Sequence, residues 1–422
     1  MRAQSGQRNR QFDRFWLGNS VSQFGDRISE LAIPLIAVVL LHTDPAESAT
    51  LVALIWLPNV LSPLVGTWVD TRRDKRQLLI AADLLRAAVL LSVPAAALLG
   101  HVTLGQLYVV AALIGIGQML FNVTYPAFFI ALVPRSDYVA ANSKLSTTRS
   151  ASYIAGPAVG GALIQAITAP LAVFVDAVTF LFSAFSIGRV KVTGSEPVAD
   201  TSTSLGRRLL AGLRFNFGHR IVRACLACST TMNFFMYMGQ ALVLLFASRA
   251  LGLSAGEIGI GLGAGAAGGL LSAVVAKKVI DRIGLGRSMV VGAICYPAPF
   301  VLLGIAGGPH WLGVGVLAAV ECLSGMGVML YDIGNNSLKS AVIPAEMRSR
   351  AAGAYSAINY GSRPLGALVG GWLGTVVGLR PTLITAALGG VLGCLWLLAS
   401  PIARLTTIPE PGDPVVADAQ ES

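Results

Sequence analysis

Charged residues are scarce in this sequence. Lys, Arg, Asp and Glu make up 12% of its 422 residues, whereas soluble domains carry about 25%. So little charge cannot cover the surface of a water-soluble globule of this length, which excludes a soluble protein. The 54% hydrophobic content also excludes a disordered chain, because disorder requires low hydrophobicity and high net charge. The composition therefore favours a membrane protein with many spans.

Sequence motifs of enzymatic chemistry are missing too. The chain has no Gly-x-x-x-x-Gly-Lys-Ser/Thr loop, no His-Glu-x-x-His motif and no Gly-x-Ser-x-Gly turn. Cys225-x-x-Cys228 lacks the second Cys or His pair of a metal site, which favours free thiols within apolar segments. Gly263-x-Gly265-x-x-Gly268 lies inside an apolar run without a preceding strand, which favours helix packing over dinucleotide binding. We expect no enzyme activity, no metal and no cofactor.

Twelve mainly apolar stretches have the length that a membrane-crossing helix needs, about 20 residues. They are continuously apolar, whereas transmembrane strands are shorter and alternate apolar with polar residues. The first stretch lacks a signal-peptide cleavage site, so we expect it to be retained. The predicted fold is an all-α membrane protein of twelve transmembrane helices, with spans at 15–41, 48–69, 77–99, 104–126, 146–168, 171–189, 222–247, 255–279, 288–307, 311–335, 351–378 and 381–403.

The basic residues indicate the topology. With twelve spans, all but five of the 31 Lys and Arg residues fall on one side of the membrane. The exceptions are Arg27, Arg86 and Arg363 within spans, and Arg249 and Arg380 on the opposite side. Because cytoplasmic loops collect basic residues, we expect a multi-pass protein of the plasma or inner membrane with both termini in the cytoplasm. The net charge of +10 is then a topology signal, and no nucleic-acid partner is expected.

The second half of the chain repeats motifs of the first half. Gly115–Asn122 matches Gly325–Asp332, and Gly156–Leu163 matches Gly366–Leu373, both at an offset of 210 residues. Several matches in one register favour two pseudo-symmetric six-helix halves with the same topology, related by an axis along the membrane normal. The alternative is coincidence in a chain rich in Ala, Gly and Leu.

The longest polar stretch separates these halves. It is basic and carries Leu205, Leu209, Leu213 and Phe217 at helical spacing, which predicts an amphipathic helix on the inner leaflet with its Arg side chains against anionic head groups. The predicted organisation is an N-terminal six-helix half at 1–190, a cytoplasmic linker at 191–221, a C-terminal six-helix half at 222–404 and a cytoplasmic tail at 405–422.

Two six-helix halves joined by a cytoplasmic linker resemble the major facilitator superfamily, and three motifs extend the resemblance. Gly66-x-x-x-Asp70-Thr71-Arg72-Arg73-Asp74-Lys75-Arg76 is similar to the superfamily's loop motif, although Thr71 replaces its usual Arg. Ser152-x-x-x-Gly156-Pro157-x-x-Gly160-Gly161 is similar to the antiporter motif of the family's exporters. Ser22–Arg27, with Asp83-x-x-Arg86, is similar to the branch that contains macrolide and siderophore exporters.

The loop motif recurs in part in the second half as Asp281-Arg282-x-x-x-x-Arg287. A carboxylate beside cations at the membrane surface can bind Arg side chains or a helix N-terminus of the other half. This predicts a conformational latch that opens on one stroke of transport, and the alternative is an ordinary solvated loop. The predicted latch residues are Gly66, Asp70, Arg72, Arg73, Arg76, Asp281, Arg282 and Arg287.

The antiporter-like motif combines a helix bend with small residues. Pro157 removes a backbone donor and bends the helix, while glycines allow a neighbouring helix to approach closely. The resemblance implies a bend that shapes the exit path, and the alternative is simple small-residue packing. The residues of this helix-bend motif are Gly156, Pro157, Gly160 and Gly161.

Ionisable residues inside spans are costly in lipid, which makes them functional candidates. Asp26 and Glu30 lie one turn apart on the first span, which predicts a proton-coupling or substrate role. The alternative for both is a structural salt bridge with Arg27. For Glu321 in the tenth span, the two interpretations are again a coupling or substrate role and a structural role. Arg363 in the eleventh span is expected to be the structural partner of a carboxylate.

Other polar residues within spans are expected to pair or to line a cavity. Asp83 and Arg86, three residues apart, are predicted to pair within the third span. Six amide side chains are candidates for the wall of a polar cavity, and the alternative for each is a hydrogen bond between helices: Asn19, Gln23, Asn122, Asn233, Gln240 and Asn359.

The resemblance implies a secondary transporter that works by alternating access, with substrate bound between the halves near the midplane. We expect a proton-coupled exporter of small amphipathic or hydrophobic molecules such as drugs, macrolides or siderophores. Its expected partners are the substrate, protons and the lipid bilayer, and it is expected to function as a monomer. The alternatives are an uptake permease or lipid flippase on the same fold, and a non-transporting membrane sensor or intramembrane enzyme.

Overall fold

The computed structural model describes residues 2–191, 205–344 and 347–409, so parts of the predicted linker and tail lie outside the described residues. Within these ranges the chain forms α-helices and no strands. The helices are α1 Arg2–Leu35, α2 Pro45–Trp56, α3 Ser62–Thr71, α4 Lys75–Leu98, α5 Leu104–Leu132, α6 Tyr138–Ile167, α7 Ala169–Gly188, α8 Leu205–Gly218, α9 Arg220–Arg249, α10 Ala255–Ile283, α11 Leu285–Cys295, α12 Phe300–Ile305, α13 His310–Val342, α14 Arg348–Val376, α15 Leu379–Val391 and α16 Cys394–Leu398.

Nine helical segments of the described chain are long and apolar enough to cross a membrane, which confirms the prediction of an all-α membrane protein. The count of twelve stays a prediction. The other three predicted spans coincide with α1, α6 and α14, which are 34, 30 and 29 residues long. These helices are less apolar because they carry charged and polar candidate residues. The nine segments are Pro45–Thr71, Lys75–Leu98, Leu104–Leu132, Ala169–Gly188, Arg220–Arg249, Ala255–Ile283, Leu285–Ile305, His310–Val342 and Leu379–Leu398.

Several spans are interrupted rather than continuous. A short 3-10 turn at Leu57–Leu61, which contains Pro58, joins α2 to α3. A turn that contains Pro297 and Pro299 separates α11 from α12. Proline lacks the backbone donor that a continuous helix needs, so the sequence itself explains these breaks.

The chain divides into two compact units, here called the first and the second unit. The first consists of Met1–Thr43, Leu57–Thr201 and Ser254–Ile260, and the second consists of Asp44–Trp56, Ser202–Leu253 and Gly261–Ser422. In the first unit α1 and α4 both pack on α7, and α6 packs on α1. In the second unit α9 and α2 both pack on α14, and α11 packs on α13.

Each unit has its own buried hydrophobic core. In the first unit, Phe15 of α1 lies against Phe128 of α5, with ring centroids 5.3 Å apart. In the second unit, the free thiols of Cys225 and Cys228 are buried beside Tyr331. These cores hold the long polar helices α1 and α14 in place, and both helices carry candidate residues.

The basic segment of the predicted linker contains α8, which packs on the first turns of α14. The buried Asn216 amide donates to the Ala351 carbonyl over 2.9 Å. Gly212 faces the backbone carbonyl of Arg350 at a distance that leaves no room for a side chain. The helix is therefore docked on α14 through one face.

Candidate functional site

The first unit contains a group of charged side chains on three neighbouring helices, here called the acidic cluster: Asp26, Arg27, Glu30, Asp83, Arg86 and Asp176. Arg86 of α4 is central to it. The Arg86 guanidinium binds the Asp83 carboxylate one turn earlier, as the sequence predicts, and its Nη1 lies 3.6 Å from Asp26 Oδ1 on α1. Arg86 therefore links two carboxylates on different helices.

The members of this ion-pair group differ in exposure. Asp83 and Arg86 are 0% and 3% exposed, whereas the Asp26 side chain is 21% exposed. The Arg86 guanidinium also lies over the rings of Phe180 and Phe121, at 4.0 and 5.1 Å from their centroids. Ion pairing and cation–π contact both lower the cost of burying this charge. Asp26 is thus the accessible partner of a rigidly held arginine.

Arg27 and Glu30 form the second ion pair of the cluster. Arg27 Nη1 lies 2.5 Å from Glu30 Oε2, and the two side chains are 15% and 47% exposed. The Arg27 guanidinium stacks on the ring of Tyr153 of α6 at 4.2 Å. A salt bridge with Arg27 was the alternative interpretation of both Asp26 and Glu30. Glu30 forms it, while Asp26 turns towards Arg86.

Asp176 of α7 completes the cluster with a carboxylate that is 0% exposed. It accepts hydrogen bonds from the Ser29 and Thr179 hydroxyls. Asp176 was not among the site residues predicted from the sequence.

Glycines make room for these charged side chains. A methyl group on Gly156 would collide with the aliphatic part of Arg27, and one on Gly117 would lie 2.6 Å from Arg86 Cγ. A methyl group on Gly25 would overlap Asp176. Gly156, predicted as part of a helix bend, thus lies directly against a charged residue of the cluster.

The rest of the helix-bend motif packs backbone against backbone. Pro157 lies inside α6. Gly160 faces Ile28 Cα of α1, and Gly161 faces the Ala255 carbonyl at the start of α10. Both predicted features, an internal proline and small-residue packing, are present in this helix.

The first predicted latch loop is organised by Lys75, which was not among the predicted latch residues. The Lys75 ammonium donates to the carbonyls of Val69, Asp70 and Arg72 over 2.5, 3.2 and 2.6 Å and so closes the C-terminal end of α3. The Arg76 guanidinium donates to the Gly188 carbonyl at the end of α7.

The other latch candidates of this loop lie at the surface. The side chains of Asp70, Arg72 and Arg73 are exposed, and Gly66 is half-buried. The Arg72 guanidinium stacks on the Trp68 ring at 4.7 Å. An exposed carboxylate with exposed cations around it is available to a partner, as a latch would require.

The corresponding loop of the second half is also exposed at Asp281, Arg282 and Arg287. Gly284 has a φ of +89°, which favours glycine. The backbone N–H of Leu285 donates to the Thr406 carbonyl over 3.0 Å. This loop is therefore held by the segment that follows α16.

The second unit contains a cavity of about 220 Å³ between α9, α13 and α14. Of the six predicted cavity candidates, Asn233 and Asn359 line it and are bonded to each other over 3.1 Å. Its charged lining residues are Asp332, Lys339 and Arg363. The remaining lining residues are Ser229, Met232, Tyr296, Val328, Tyr331, Asn335, Asn336, Tyr355, Ser356 and Tyr360.

Arg363 is held by aromatic rings and an amide. Its Nε donates to Asn233 Oδ1 over 2.9 Å, and its guanidinium lies 4.2, 4.8 and 4.5 Å from the ring centroids of Trp56, Tyr237 and Tyr360. The prediction of a carboxylate partner was wrong, since no carboxylate of the described residues lies within ion-pair distance of Arg363. Cation–π attraction and one amide oxygen take the place of the expected ion pair.

Glu321 lies apart from this cavity, on the side of α13 that faces α10. A methyl group on Gly265 would lie 3.3 Å from Glu321 Oε2. The Glu321 Oε1 atom is buried and has no hydrogen-bond partner within the described ranges. The structure therefore brings Asp26, Arg27 and Glu30 together, and places Glu321 and Arg363 separately in the other unit.

Most of the cavity wall was not predicted from the sequence. Two helix faces carry a signal for it: Asp332, Asn336 and Lys339 recur at helical spacing on α13. A second such face lies on α14, where the polar residues recur every four positions: Tyr355, Asn359 and Arg363. A polar stripe of this kind within a transmembrane helix indicates a face turned away from lipid.

Comparison with known families identifies the class. The family model of the Major Facilitator Superfamily matches residues 15–366 and 226–419. The chain therefore belongs to the Major Facilitator Superfamily and is a multi-pass membrane transporter rather than an enzyme.

Two curated relatives span nearly the whole chain. The multidrug efflux pump Tap of Mycolicibacterium fortuitum is 26% identical over 384 residues, which cover 86% of this chain and 89% of Tap. The uncharacterized MFS-type transporter YfiS of Bacillus subtilis (strain 168) is 24% identical over 398 residues, which cover 91% of this chain and 92% of YfiS.

Solved structures with the same fold include transporters of other substrates. A bacterial homologue of the iron transporter ferroportin in its inward-facing state has a TM-score of 0.73 at 17% identity, covering 92% of this chain and 98% of that one. The nucleoside transporter NupG has a TM-score of 0.67 at 15% identity, with coverage of 92% and 98%. At such identity the likeness shows the fold alone.

Proposed function

We propose that this transporter exports small amphipathic or hydrophobic molecules in exchange for protons, by alternating access. The acidic cluster is the observation that carries the proposal. Four carboxyl groups, those of Asp26, Glu30, Asp83 and Asp176, face only two guanidinium groups, those of Arg27 and Arg86. Unpaired negative charge is costly in a low-dielectric interior, so this group favours the uptake of a proton.

Asp26 is the proposed site of proton exchange, with Glu30 as a second group. Solvent reaches Asp26, whereas Asp83 and Arg86 are almost fully buried. A proton on Asp26 removes the attraction between its carboxylate and Arg86, which then binds Asp83 alone. Release of the proton restores the link between α1 and α4. Protonation therefore changes the contacts between two helices, as coupling of proton movement to conformational change requires.

The direction of transport is proposed from two similarities. The segment Ser152–Gly161 resembles the antiporter motif of exporters, and the relative Tap is named a multidrug efflux pump. We further propose a latch role for Asp70 and Arg76 with Asp281 and Arg287. Orientation with both termini in the cytoplasm and function as a monomer are parts of the same proposal.

The proposal is tested by transport into inverted membrane vesicles with an imposed pH gradient, acidic inside. Probes are ethidium, rhodamine B with its free carboxyl group and radiolabelled erythromycin, which represent amphipathic compounds of different shape and charge. We expect at least one of them to accumulate in vesicles that contain the wild type, and to leak out when an ionophore collapses the gradient. Asp26→Asn and Glu30→Gln are expected to lower gradient-driven uptake by about tenfold or more, since they fix the charge state of the site.

Asp13→Asn is the matched control on the same helix. Asp13 pairs with Lys144 over 3.0 Å at an exposed position, both side chains being 52% exposed, and such pairs contribute little. Its uptake should equal that of the wild type. Unchanged uptake by both Asp26→Asn and Glu30→Gln would exclude the coupling assignment. Accumulation only in right-side-out vesicles would instead support an uptake permease.

A further inference from the structure

The cavity of the second unit carries two cations and one carboxylate. Arg363 and Lys339 both line it, together with Asp332. Asp332 lies within electrostatic range of both cations, but no ion pair joins these residues in the described chain. The net charge of the cavity wall is therefore positive, whereas the acidic cluster of the first unit has an excess of carboxyl groups.

The Arg363 guanidinium is oriented before any ligand arrives. Its Nε is used by Asn233, and rings of Trp56, Tyr237 and Tyr360 cover its faces. The two Nη groups have no hydrogen-bond acceptor among the described residues. A guanidinium held in this way presents two parallel N–H donors, which match the two oxygens of a carboxylate.

Lys339 supplies a second, more flexible cation to the same cavity. Its Nζ lies 4.2 Å from the centroid of the Tyr355 ring. The Tyr355 and Tyr331 hydroxyls both bond Ser229 Oγ, over 2.7 and 2.8 Å, and are thereby fixed. These two hydroxyls are thus already hydrogen-bonded to the protein, whereas Lys339, Arg363 and Asp332 make no ion pair among the described residues.

We propose that this cavity binds the carboxylate of the transported molecule, so that the substrates are amphipathic acids or zwitterions. The inference rests on the proposed export function, since it names the substrate class of that transporter. Arg363 contacts the substrate carboxylate at two points, and Lys339 supplies a second positive charge. The Asp332 carboxylate accepts a hydrogen bond from the ammonium group of a zwitterion, and it repels a second anionic group. Protons and substrate anion are then handled by different units.

Binding of benzoate, benzamide and benzylammonium to the purified full-length protein tests the inference without any gradient. These probes share one ring, comparable in size to a phenylalanine side chain, and differ in charge. Ligand-observed saturation-transfer NMR measures such weak binding. We expect benzoate to bind at least about tenfold more tightly than benzamide, since an Arg–carboxylate contact is charge-assisted. Benzylammonium is expected to bind more weakly than benzamide.

Variants assign the binding to the cavity. Arg363→Gln should reduce benzoate affinity to the level of benzamide, Lys339→Gln should weaken benzoate several-fold, and Asp332→Asn should strengthen it. Arg380→Gln is the matched control, because Arg380 of α15 donates to the Gly304 carbonyl and does not line the cavity. Its benzoate affinity should equal that of the wild type.

Several outcomes overturn the inference. They are equal binding of benzoate and benzamide, absence of saturable benzoate binding, and tighter binding of benzylammonium than of benzoate. If Arg363→Gln does not fold, an unchanged benzoate affinity in Lys339→Gln decides against it. Failure of export appears separately, as loss of gradient-driven uptake in vesicles. There, a rhodamine with a free carboxyl is expected to be carried faster than its methyl ester, and the reverse order would contradict the assignment.

Discussion

Gly156 of α6 lies against Arg27 of α1, so closely that a methyl group at position 156 would fall 2.6 Å from Arg27 Cβ. This contact connects the antiporter-like motif with the acidic cluster. Arg27 in turn binds Glu30 and stacks on Tyr153. The glycine therefore contributes the space in which a charged side chain of the acidic cluster is held.

The first prediction concerns this space. Gly156→Ala should displace Arg27, loosen its pair with Glu30 and lower gradient-driven uptake by about tenfold, because tight packing leaves no room for the methyl group. The matched control is Gly105→Ala on α5, where a methyl group would meet no atom within 4 Å. Uptake by both variants in inverted vesicles checks the prediction. Equal, wild-type uptake by both would show that the contact is unimportant.

The second prediction concerns the buried ion pair of Asp83 and Arg86. Arg86→Gln leaves the fully buried Asp83 carboxylate without its cation and should cost about 3 kcal/mol of folding free energy. Asp83→Asn added to Arg86→Gln should recover part of this loss, because an amide carries no charge. Thermal unfolding of the purified variants measures both effects. No difference between the single and the double variant would argue against a structural pair.

The third prediction concerns Lys75. Lys75→Met removes the three hydrogen bonds to the carbonyls at the end of α3 and should destabilise the loop by about 2 kcal/mol. Faster hydrogen exchange of the loop amides would report this. Lys278→Met, at an exposed position on α10, serves as the control and should leave exchange in this loop unchanged. Slow exchange in Lys75→Met would mean that other contacts hold the loop.

The fourth prediction concerns pH and His219, which precedes α9. The His219 Nδ1 accepts from the Val222 N–H over 3.4 Å, and burial lowers the pKa of His219 below its ordinary value of 6.5. The unfolded chain then binds the proton more readily than the folded one, so this group makes stability fall as the pH drops through 6.5. His219→Asn keeps a capping side chain without titrating.

Thermal unfolding on either side of that pH checks the sign. The wild type should lose more stability than His219→Asn when the pH is lowered. An equal loss in both proteins, or a greater loss in the variant, would contradict the role assigned to this histidine.

The fold class was predictable because burial in lipid constrains composition so strongly. In a bilayer, backbone polar groups must be hydrogen-bonded within the protein, and charged side chains are kept out of the lipid. The length of the apolar segments and the placement of Lys and Arg follow from this. The contacts of individual side chains were harder to predict from the sequence. Asp83 and Arg86 pair within one helix, where sequence spacing fixes the distance, and this prediction is confirmed.

Contacts between helices could not be derived from spacing. A salt bridge with Arg27, its neighbour in sequence, was the alternative for Asp26, but Asp26 turns towards Arg86 of α4. Arg363 was expected to meet a carboxylate and instead meets three aromatic rings, one of which belongs to Trp56 on α2. Such partners depend on helix rotation and packing, which a single sequence leaves open.

The central claim is that proton movement through the acidic cluster drives transport. Its most direct test uses purified protein in liposomes that enclose a pH-sensitive dye, with no pH gradient at the start and an outward gradient of a compound that the vesicle assay has shown to be transported. We expect wild-type protein to move protons inward, against the substrate flow, and Asp26→Asn combined with Glu30→Gln to abolish this proton movement. Substrate flow through the wild type without any proton movement would contradict proton coupling.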